Sequence, residues 1–300
     1  MYMNISPALR NNRSCLALTG VNVAEFKSLV PLFAAIYKEE KIKANPKRIR
    51  KFGGGRIGGL KTIDEKLFFA LMYLKTYPTF DVASFFTGIN RSNCYRAIKF
   101  LLPVLEITLG RQLSLPQRQI HSVDEFLLLF PEVRDVFLDG TDRRVQRPKN
   151  KKRQNKLYSG KRKATTRKNI VVSDEKRRIL YLSPTKSGRR HDKKLGDKMG
   201  LSNLPFEVSA WVDTGFQGLQ KNHPNTQIPR KRSRDKPLSE EDKENNRLIS
   251  SFRVTVEHAI AGMKRLRSTT DVYRNKRANF DDTLNLLSAG IWNYHLAFSG

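Results

Sequence analysis

Two aspartates in this sequence have the surroundings of a metal ligand. Asp139 follows the apolar run Val136–Leu138, Asp213 follows the apolar run Ala210–Val212, and a glycine occurs within two residues of each. A glycine beside a strand end allows close approach of backbone and ligand. Carboxylate oxygens are preferred ligands of Mg²⁺. The pair therefore predicts a divalent-cation site, although Asp-Gly is also a common turn sequence.

A third carboxylate, Glu257, lies in a segment with helical periodicity. At about 100° per residue, Arg253, Glu257 and Lys264 fall within roughly 40° of one another. The adjacent face is apolar and consists of Val256, Ile260 and Met263. The glutamate is either a further metal ligand or part of a surface salt-bridge ladder, which is a common arrangement.

Other side chains compete for the metal site. The acidic run Ser239–Asp242 could supply the third acid, but its pattern is that of a capped helix start. His191 and His258 are alternative ligands, although a divalent site for phosphodiester chemistry favours oxygen. Asp192 is predicted to cap a helix. The two cysteines, Cys15 and Cys94, indicate no disulfide framework and no cysteine-based zinc site, which fits a reducing cytoplasm.

The charge balance indicates a polyanionic partner. The 300 residues include 57 Lys and Arg against 28 Asp and Glu, a formal net charge of +29. Such an excess is typical of proteins that neutralise phosphate. A ribosomal-type RNA binder and a membrane-surface protein are the alternatives to a DNA-binding protein. The apolar stretches are too short to span a membrane, and no secretory signal is visible.

Residues 62–112 predict three helices in helix-turn-helix order. Thr62 and Glu65 form a capping-box pattern, and Tyr77-Pro78 ends the first helix. The second helix stops at Thr87-Gly88, and Asn90 or Ser92 caps the third. A long helix, a short helix, a glycine-containing turn and a helix are typical of a DNA-binding helix-turn-helix. An ordinary three-helix bundle is the alternative.

The third helix has two predicted faces. Its inward positions are Tyr95, Ile98, Leu102 and Leu105. Short polar and cationic side chains on the other side suit base edges and phosphates. The predicted DNA contacts are Arg91, Ser92, Asn93 and Arg96, with Lys99 on the same face.

Residues 134–300 predict an α/β domain. A strand ends at Asp139–Thr141, and two more cover Asn169–Ser173 and Arg178–Ser183. A helix over His191–Met199, a strand over Glu207–Val212 and helices at about 239–267 and 281–297 follow. This order is compatible with a mixed sheet covered by helices.

The predicted organisation has three parts. Residues 1–115 form a helical DNA-binding region, residues 116–133 a connector and residues 134–300 the α/β domain. Within the first, the glycine-rich segment Lys51–Lys61 is predicted to be a basic hinge rather than a phosphate loop, because it lacks the Gly-Lys-Ser/Thr ending.

A basic stretch follows the predicted strand that ends at Asp139–Thr141. Arg143–Lys168 holds 13 Lys or Arg and no acid. We expect it to be a track for the DNA backbone leading to the metals, with Lys161 and Lys163 among its contacts. A solvated hairpin or a disordered arm is the alternative.

Taken together, these motifs resemble IS5-family transposases, of the subgroup that shares a DDE endonuclease domain with Harbinger-type elements. The resemblance spans residues 62–298. In the family the last motif is Tyr-x2-Arg-x3-Glu-x6-Lys, and Ser250 stands here at the tyrosine position. The matching segments are Phe137–Thr141, Tyr158–Lys161, Lys168-Asn169, Gly188–Asp192, Val212–Phe216 and the helix with Arg253, Glu257 and Lys264.

The resemblance implies an RNase H-like catalytic domain preceded by an all-α helix-turn-helix domain. Asp139, Asp213 and Glu257 would be the catalytic triad, with Asp139 bridging two Mg²⁺ ions that Mn²⁺ can replace. Arg253 and Lys264 would contact DNA. A transposase of this family cuts the ends of an insertion sequence and joins them to target DNA.

The implied partners are double-stranded DNA, as terminal inverted repeats and as target, and further copies of the chain, at least as a dimer on DNA. No membrane partner is expected, and the implied location is the bacterial cytoplasm, on DNA. Two other functions remain open: a catalytically inactive or domesticated DNA-binding regulator, and an RNase H-like nuclease that cuts without joining.

Overall fold

A computed structural model describes residues 3–47, 58–232 and 237–299. These residues form two compact units. The helical unit comprises the described parts of 1–115, 264–269 and 290–300, and the sheet unit comprises those of 116–263 and 270–289. The predicted domain boundaries stay a prediction, since compact units are not by themselves independently folding domains.

The helical unit is built around five helices. They are α1 (Asn12–Thr19), α2 (Val23–Lys43), α3 (Ile63–Thr76), α4 (Phe80–Thr87) and α5 (Arg91–Arg111). Large apolar side chains from α2, α3 and α5 are fully buried in its core, among them Phe26, Phe33, Leu67, Leu71 and Ile98. Residues 51–57 of the predicted hinge lie outside the described residues.

Local signals set the ends of the helix-turn-helix elements, as predicted. The Thr62 hydroxyl accepts a hydrogen bond from the amide of Glu65 (3.1 Å), and the Glu65 carboxylate accepts one from the amide of Thr62 (3.2 Å). Tyr77 ends α3 in the left-handed conformation at φ 44°, and Gly88 ends α4 at φ 68°. The Asn90 side chain caps α5 by accepting from the Asn93 amide.

One inward position on α5 was predicted wrongly. Tyr95 is 43% exposed, and its ring packs edge-on against Phe80 at 5.6 Å. Cys94 takes the buried position instead, with its thiol 3.5 Å from the Thr87 hydroxyl. Ile98, Leu102 and Leu105 are buried, as predicted.

The sheet unit contains a mixed sheet. The seven strands in the described part of the chain are β1 (Asp135–Arg144), β2 (Tyr158–Ser159), β3 (Ala164–Ser173), β4 (Ile179–Leu182), β5 (Lys186–Ser187), β6 (Ser209–Trp211) and β7 (Thr226–Gln227). Their order is β2-β3-β1-β6-β7, and β4 and β5 also pair with β3. The β1–β3 pair is antiparallel, whereas β1–β6 and β6–β7 are parallel. The mixed α/β, RNase H-like fold class is confirmed.

The strand that carries Asp139 is longer than predicted. The sequence places its end at Asp139–Thr141, whereas β1 continues to Arg144. Its ladder with β3 runs without interruption from Phe137 opposite Ser173 to Arg144 opposite Thr166. Asp139 therefore lies in the middle of a strand rather than at its end.

Six further helices complete the described chain. They are α6 (Val123–Leu129), α7 (Lys151–Leu157), α8 (Asp192–Met199), α9 (Glu240–Lys264), α10 (Arg267–Thr270) and α11 (Phe280–Ser299). Three of them were not predicted: α6 lies in the expected connector, α7 in the basic stretch and α10 between the two predicted C-terminal helices. Leu195 and Met199 of α8 belong to the same buried cluster as Val136, Leu138 and Ile170 of the sheet.

A membrane span requires a helix of sufficient length and apolar content. Within 3–47, 58–232 and 237–299, no single helix has the length and apolar content needed to cross a bilayer. The bent pair α1 and α2 passes that test jointly, by length and composition alone.

Candidate active site

Asp139 and Asp213 lie on one face of the sheet. Asp139 shares its side of β1 with Phe137, because alternate residues of a strand point the same way. Phe137 is in register with Trp211 on the parallel neighbour β6, and Asp213 follows two residues later. Burial raises the pKa of Asp139 above its ordinary value, and the nearby charge of Asp213 raises it further. The structure thus brings two mutually repelling carboxylates together.

A glycine amide holds each aspartate. The amide of Gly140 donates to Asp139 Oδ1 at 2.7 Å, and the amide of Gly215 donates to Asp213 Oδ1 at 2.8 Å. Both glycines pack closely against Asp192. A Cβ on Gly140 would lie 2.7 Å from Asp192 Oδ1, and a Cβ on Gly215 would lie 2.9 Å from Asp192 Oδ2. These positions therefore need glycine to admit the carboxylate of Asp192.

Asp192 itself was assigned wrongly as a helix cap. The N-cap of α8 is His191, and Asp192 is the first residue of the helix. Its Oδ1 accepts a hydrogen bond from Lys168 Nζ at 2.8 Å, and both side chains are buried. This ion pair connects β3 to α8 directly behind the glycines of the two aspartates.

Two cations act on the aspartate pair. Lys161 Nζ lies 3.9 Å from Asp213 Oδ2, and its side chain is exposed. The charges of Arg253 and Lys161 oppose the rise in the pKa of Asp139. Arg253 belongs to α9, whose Phe252 ring lies 4.5 Å from the ring of Trp211. Helix α9 therefore covers the sheet face that carries both aspartates.

Glu257 does not converge with Asp139 and Asp213 in the structure. Its side chain is exposed, one turn beyond Arg253 on α9. Within the described residues, no three His, Cys, Asp or Glu side chains converge closely enough to hold a metal ion. His191 and His258 are likewise exposed. The predicted apolar face of α9 is confirmed, since Val256, Ile260 and Met263 are buried.

The donor set at the pair fits a divalent metal ion. Asp139 and Asp213 offer hard oxygen ligands, which Mg²⁺ and related ions prefer. Burial disfavours the charged form of Asp139, and Asp213 adds repulsion. A bound divalent cation would offset both effects.

A basic cavity of about 650 Å³ opens beside Asp213. Its walls come from the β2–β3 turn, β3, the start of α8 with the segment before it, the turn after Asp213 and the segment after β7. The cations on these walls are Lys161, Lys168, Arg189, Arg190, Lys193 and Lys231. This cavity offers phosphate groups a route to the aspartates.

The predicted DNA contacts on α5 and in the β2–β3 turn are exposed, whereas Arg253 and Lys264 on α9 are half-buried. Lys161 and Lys163 lie in the turn between β2 and β3. On α5, Arg91, Ser92, Asn93 and Arg96 form the exposed first turns of the helix. Arg91 Nε lies 3.6 Å from Asp81 on α4, and Arg96 Nη1 donates to Asn93 Oδ1 at 2.9 Å. Lys264 is half-buried at the last position of α9.

Known protein families match both the region of the aspartate site and the region of the helix-turn-helix. A family described as DDE superfamily endonuclease matches residues 138–289, which include Asp139, Asp213 and Glu257. The chain belongs to the DDE superfamily endonucleases. Members of this family generally use divalent metal ions. The helix-turn-helix of DDE superfamily endonucleases matches residues 59–111 of this endonuclease, which implies DNA binding.

The DDE endonuclease also has a curated relative. It is 29% identical over 281 residues to the "Probable transposase for insertion sequence element IS702" of Microchaete diplosiphon, covering 93% of each chain. No solved structure matches the chain.

The sequence interpretation missed the buried partners of the site. Lys168 and Asp192 lie in motifs that carry the family resemblance, but nothing in their spacing indicates that they pair. Arg189 and Arg190 were also not identified as lining residues. Their position two and three residues before Asp192, in a basic run, was the available signal.

Proposed function

We propose that this DDE endonuclease is the transposase of an insertion sequence, which cuts the element ends and joins the freed 3′-hydroxyl to target DNA. The proposal rests on one observation above all. Asp139 and Asp213 lie on one sheet face beside a cavity lined with cations, in the segment that matches the DDE family.

Asp139, Asp213 and Glu257 are the residues that would hold the metal ions. The proposed ions are two Mg²⁺, with Mn²⁺ as a substitute. When bound, two divalent ions would activate the attacking oxygen and stabilise the leaving oxygen of an in-line displacement. Glu257 is included because α9 covers the sheet face of the pair, with Arg253 one turn away from it.

The protein's own groups position the phosphate. In the first step a water oxygen attacks phosphorus, and the bond from phosphorus to the 3′-oxygen of the element strand breaks. In the second, that 3′-oxygen attacks a target phosphodiester, and a target 3′-oxygen leaves. Each step exchanges one phosphorus–oxygen bond for another, so no nucleotide cofactor is needed. Lys161 and Arg253, whose charges reach the aspartates, hold the phosphate oxygens.

The remaining proposed contacts recognise DNA. Arg91, Ser92, Asn93 and Arg96 read the terminal inverted repeats in the major groove, as the recognition helix of a helix-turn-helix does. Lys161, Lys163 and Lys264 contact the backbone. Pairing of two element ends requires at least a dimer of the chain on DNA.

The test is a strand-transfer assay with purified protein, Mg²⁺, a labelled element end and a circular target. We expect the wild-type protein to give nicked ends and joined products, and Asp213→Asn to give neither while still binding the end. Binding without cleavage by the wild type would favour a regulator derived from a transposase. Cleavage without joining would favour a nuclease.

A further inference from the structure

Helix α7 has basic cavities on two sides. A cavity of about 570 Å³ lies between α7 and residues 273–279. On α7 it is lined by Asn150, Arg153 and Leu157, which share one face of the helix. A second cavity, of about 710 Å³, lies between α7 and the start of α8 and is lined by Lys152, Asn155 and Lys156 on another face.

These cavities share lining residues with one another and with the cavity beside Asp213. A further cavity of about 820 Å³ includes Arg153 and Arg167 of the first and Lys152 and Lys156 of the second. The second cavity shares Arg189 and Arg190 with the cavity that contains Asp213. We call the surface that lines these three cavities, from residues 273–279 around α7 to Arg190, the α7 surface.

The α7 surface carries positive charge without acidic groups. None of the described residues that line its three cavities is Asp or Glu. Arg167 reaches an acid, Asp281, but that carboxylate is buried, 2.6 Å from Arg167 Nη1. Lys152, Arg153 and Lys156 are exposed. Like charges held this close repel one another, so a polyanion would stabilise the arrangement.

The cations of α7 lie on a helix that is capped and anchored to the sheet. The Asn150 side chain caps the helix by accepting from the Arg153 amide at 3.0 Å. Leu157 is buried, and the carbonyl of Lys156 accepts a hydrogen bond from the Ser187 hydroxyl on β5. The basic stretch is therefore not a free arm in this region. Seven helical residues extend about 10 Å, a length that passes about three phosphates of one DNA strand.

We propose that the α7 surface binds duplex DNA outside the aspartate site, with α7 in the major groove and the two flanking backbones in the basic cavities on either side. The major groove of B-DNA is about 12 Å wide and accepts an α-helix. The major groove of A-form RNA is too narrow to admit side chains, so the surface discriminates against duplex RNA. The inference depends on the proposed function in one respect only: the DNA bound at the α7 surface is taken to be the DNA that the protein cuts.

The experiment measures metal-free DNA binding by the full chain. A duplex of unrelated sequence is titrated in EDTA over a range of salt concentrations. The variant Lys152→Gln, Arg153→Gln, Lys156→Gln is compared with the matched control Arg134→Gln, Lys176→Gln, Lys221→Gln. The control residues are exposed cations that line none of these cavities. Thermal unfolding of both proteins reports whether the fold is kept.

We expect the α7 variant to reduce the slope of log K against log salt by about 2 to 3, since each lost phosphate contact removes about 0.9. The control should keep the wild-type slope. An unchanged slope in the α7 variant overturns the proposal, and so does a duplex RNA that competes as well as DNA. Because no divalent metal is present, the outcome does not depend on whether the wild type cleaves DNA in Mg²⁺.

Discussion

Lys168 and Asp192 form a buried ion pair, 2.8 Å between Nζ and Oδ1, behind the two aspartates of the site. The Asp192 carboxylate meets Gly140 and Gly215, and the amides of these glycines donate to Asp139 and Asp213. One ion pair therefore supports the backbone that orients both carboxylates.

Removal of Asp192 should destabilise the protein strongly. Asp192→Ala leaves the Lys168 ammonium buried without its partner, and such a change typically costs about 3–5 kcal/mol. The double variant Lys168→Met, Asp192→Ala should recover part of this loss, because no charge is then left buried. Urea unfolding of the wild type, both single variants and the double variant measures the coupling. A loss below about 1 kcal/mol for Asp192→Ala would contradict the importance of the pair.

Asp139→Asn should abolish cleavage and yet raise the melting temperature of the metal-free protein at neutral pH. Burial and Asp213 raise the pKa of Asp139, so its charged form is disfavoured in the folded state. An acid with a raised pKa binds its proton more tightly in the folded state than in the unfolded state. Such an acid therefore destabilises the fold once the pH rises above the ordinary pKa of the carboxyl group. The advantage of Asn should therefore shrink as the pH is lowered.

The same preparations test metal binding without a DNA substrate. Mg²⁺ or Mn²⁺ should raise the melting temperature of the wild type and have little effect on Asp139→Asn or Asp213→Asn. Asp174→Asn is a control, since its carboxylate is also buried with a raised pKa but bonds to Arg178. Equal stabilisation of all four proteins by the metal would argue against a site at Asp139 and Asp213.

Local sequence signals predicted the helix-turn-helix and the apolar face of α9. The capping box at Thr62, the left-handed turn at Gly88 and the Asn90 cap act within a few residues of chain, so they can be read without the partner elements. The apolar face of α9 was predictable for the same reason. The extent of β1 was not, because its last residues are held by pairing with β3 rather than by their own types.

The site could be predicted only in part. Asp139 and Asp213 were identified from the apolar runs before them, which are local features. The pairing of Asp192 with Lys168 depends on the packing of α8 against β3, 24 residues away in the chain. Helix α7 was overlooked because four cations in seven residues suggested a solvated segment, although its cap Asn150 was visible in the sequence.

Arg96→Ala should reduce the preference of the full chain for element ends over random DNA. A base contact of this type contributes about 1–3 kcal/mol of discrimination, or roughly 5- to 150-fold. Asn93 orients Arg96 through a 2.9 Å hydrogen bond, so Asn93→Ala should have a smaller effect of the same sign. Lys27→Ala, an exposed cation on α2, is the control.

Competition binding with labelled ends and unrelated DNA measures this preference. The full chain is used because the helical unit includes residues from the C-terminus. Tyr294 and His295 bond to Glu25, and Asn293 bonds to Ser114. An Arg96→Ala protein that weakens on both DNAs equally would make Arg96 a backbone contact rather than a base contact.

Arg253 should affect catalysis more than stability. It lies on α9 close enough for its charge to lower the pKa of Asp139, and its Nε is buried without a hydrogen-bond partner among the described residues. A bound phosphate would supply that partner. In a salt-bridge ladder with Glu257, removal of the arginine would instead cost at most about 1 kcal/mol of stability and leave strand transfer unchanged.

The test compares Arg253→Ala, Arg253→Lys and Glu257→Gln in strand transfer and thermal unfolding on the same preparations. We expect Arg253→Ala to lose strand transfer by at least tenfold with a small change in melting temperature. Arg253→Lys should restore part of the activity, because the charge is kept while the planar donor set is lost. Glu257→Gln should abolish strand transfer and spare DNA binding. If Glu257→Gln retains activity, the third metal ligand must be sought elsewhere. Full activity of Arg253→Ala would support the ladder.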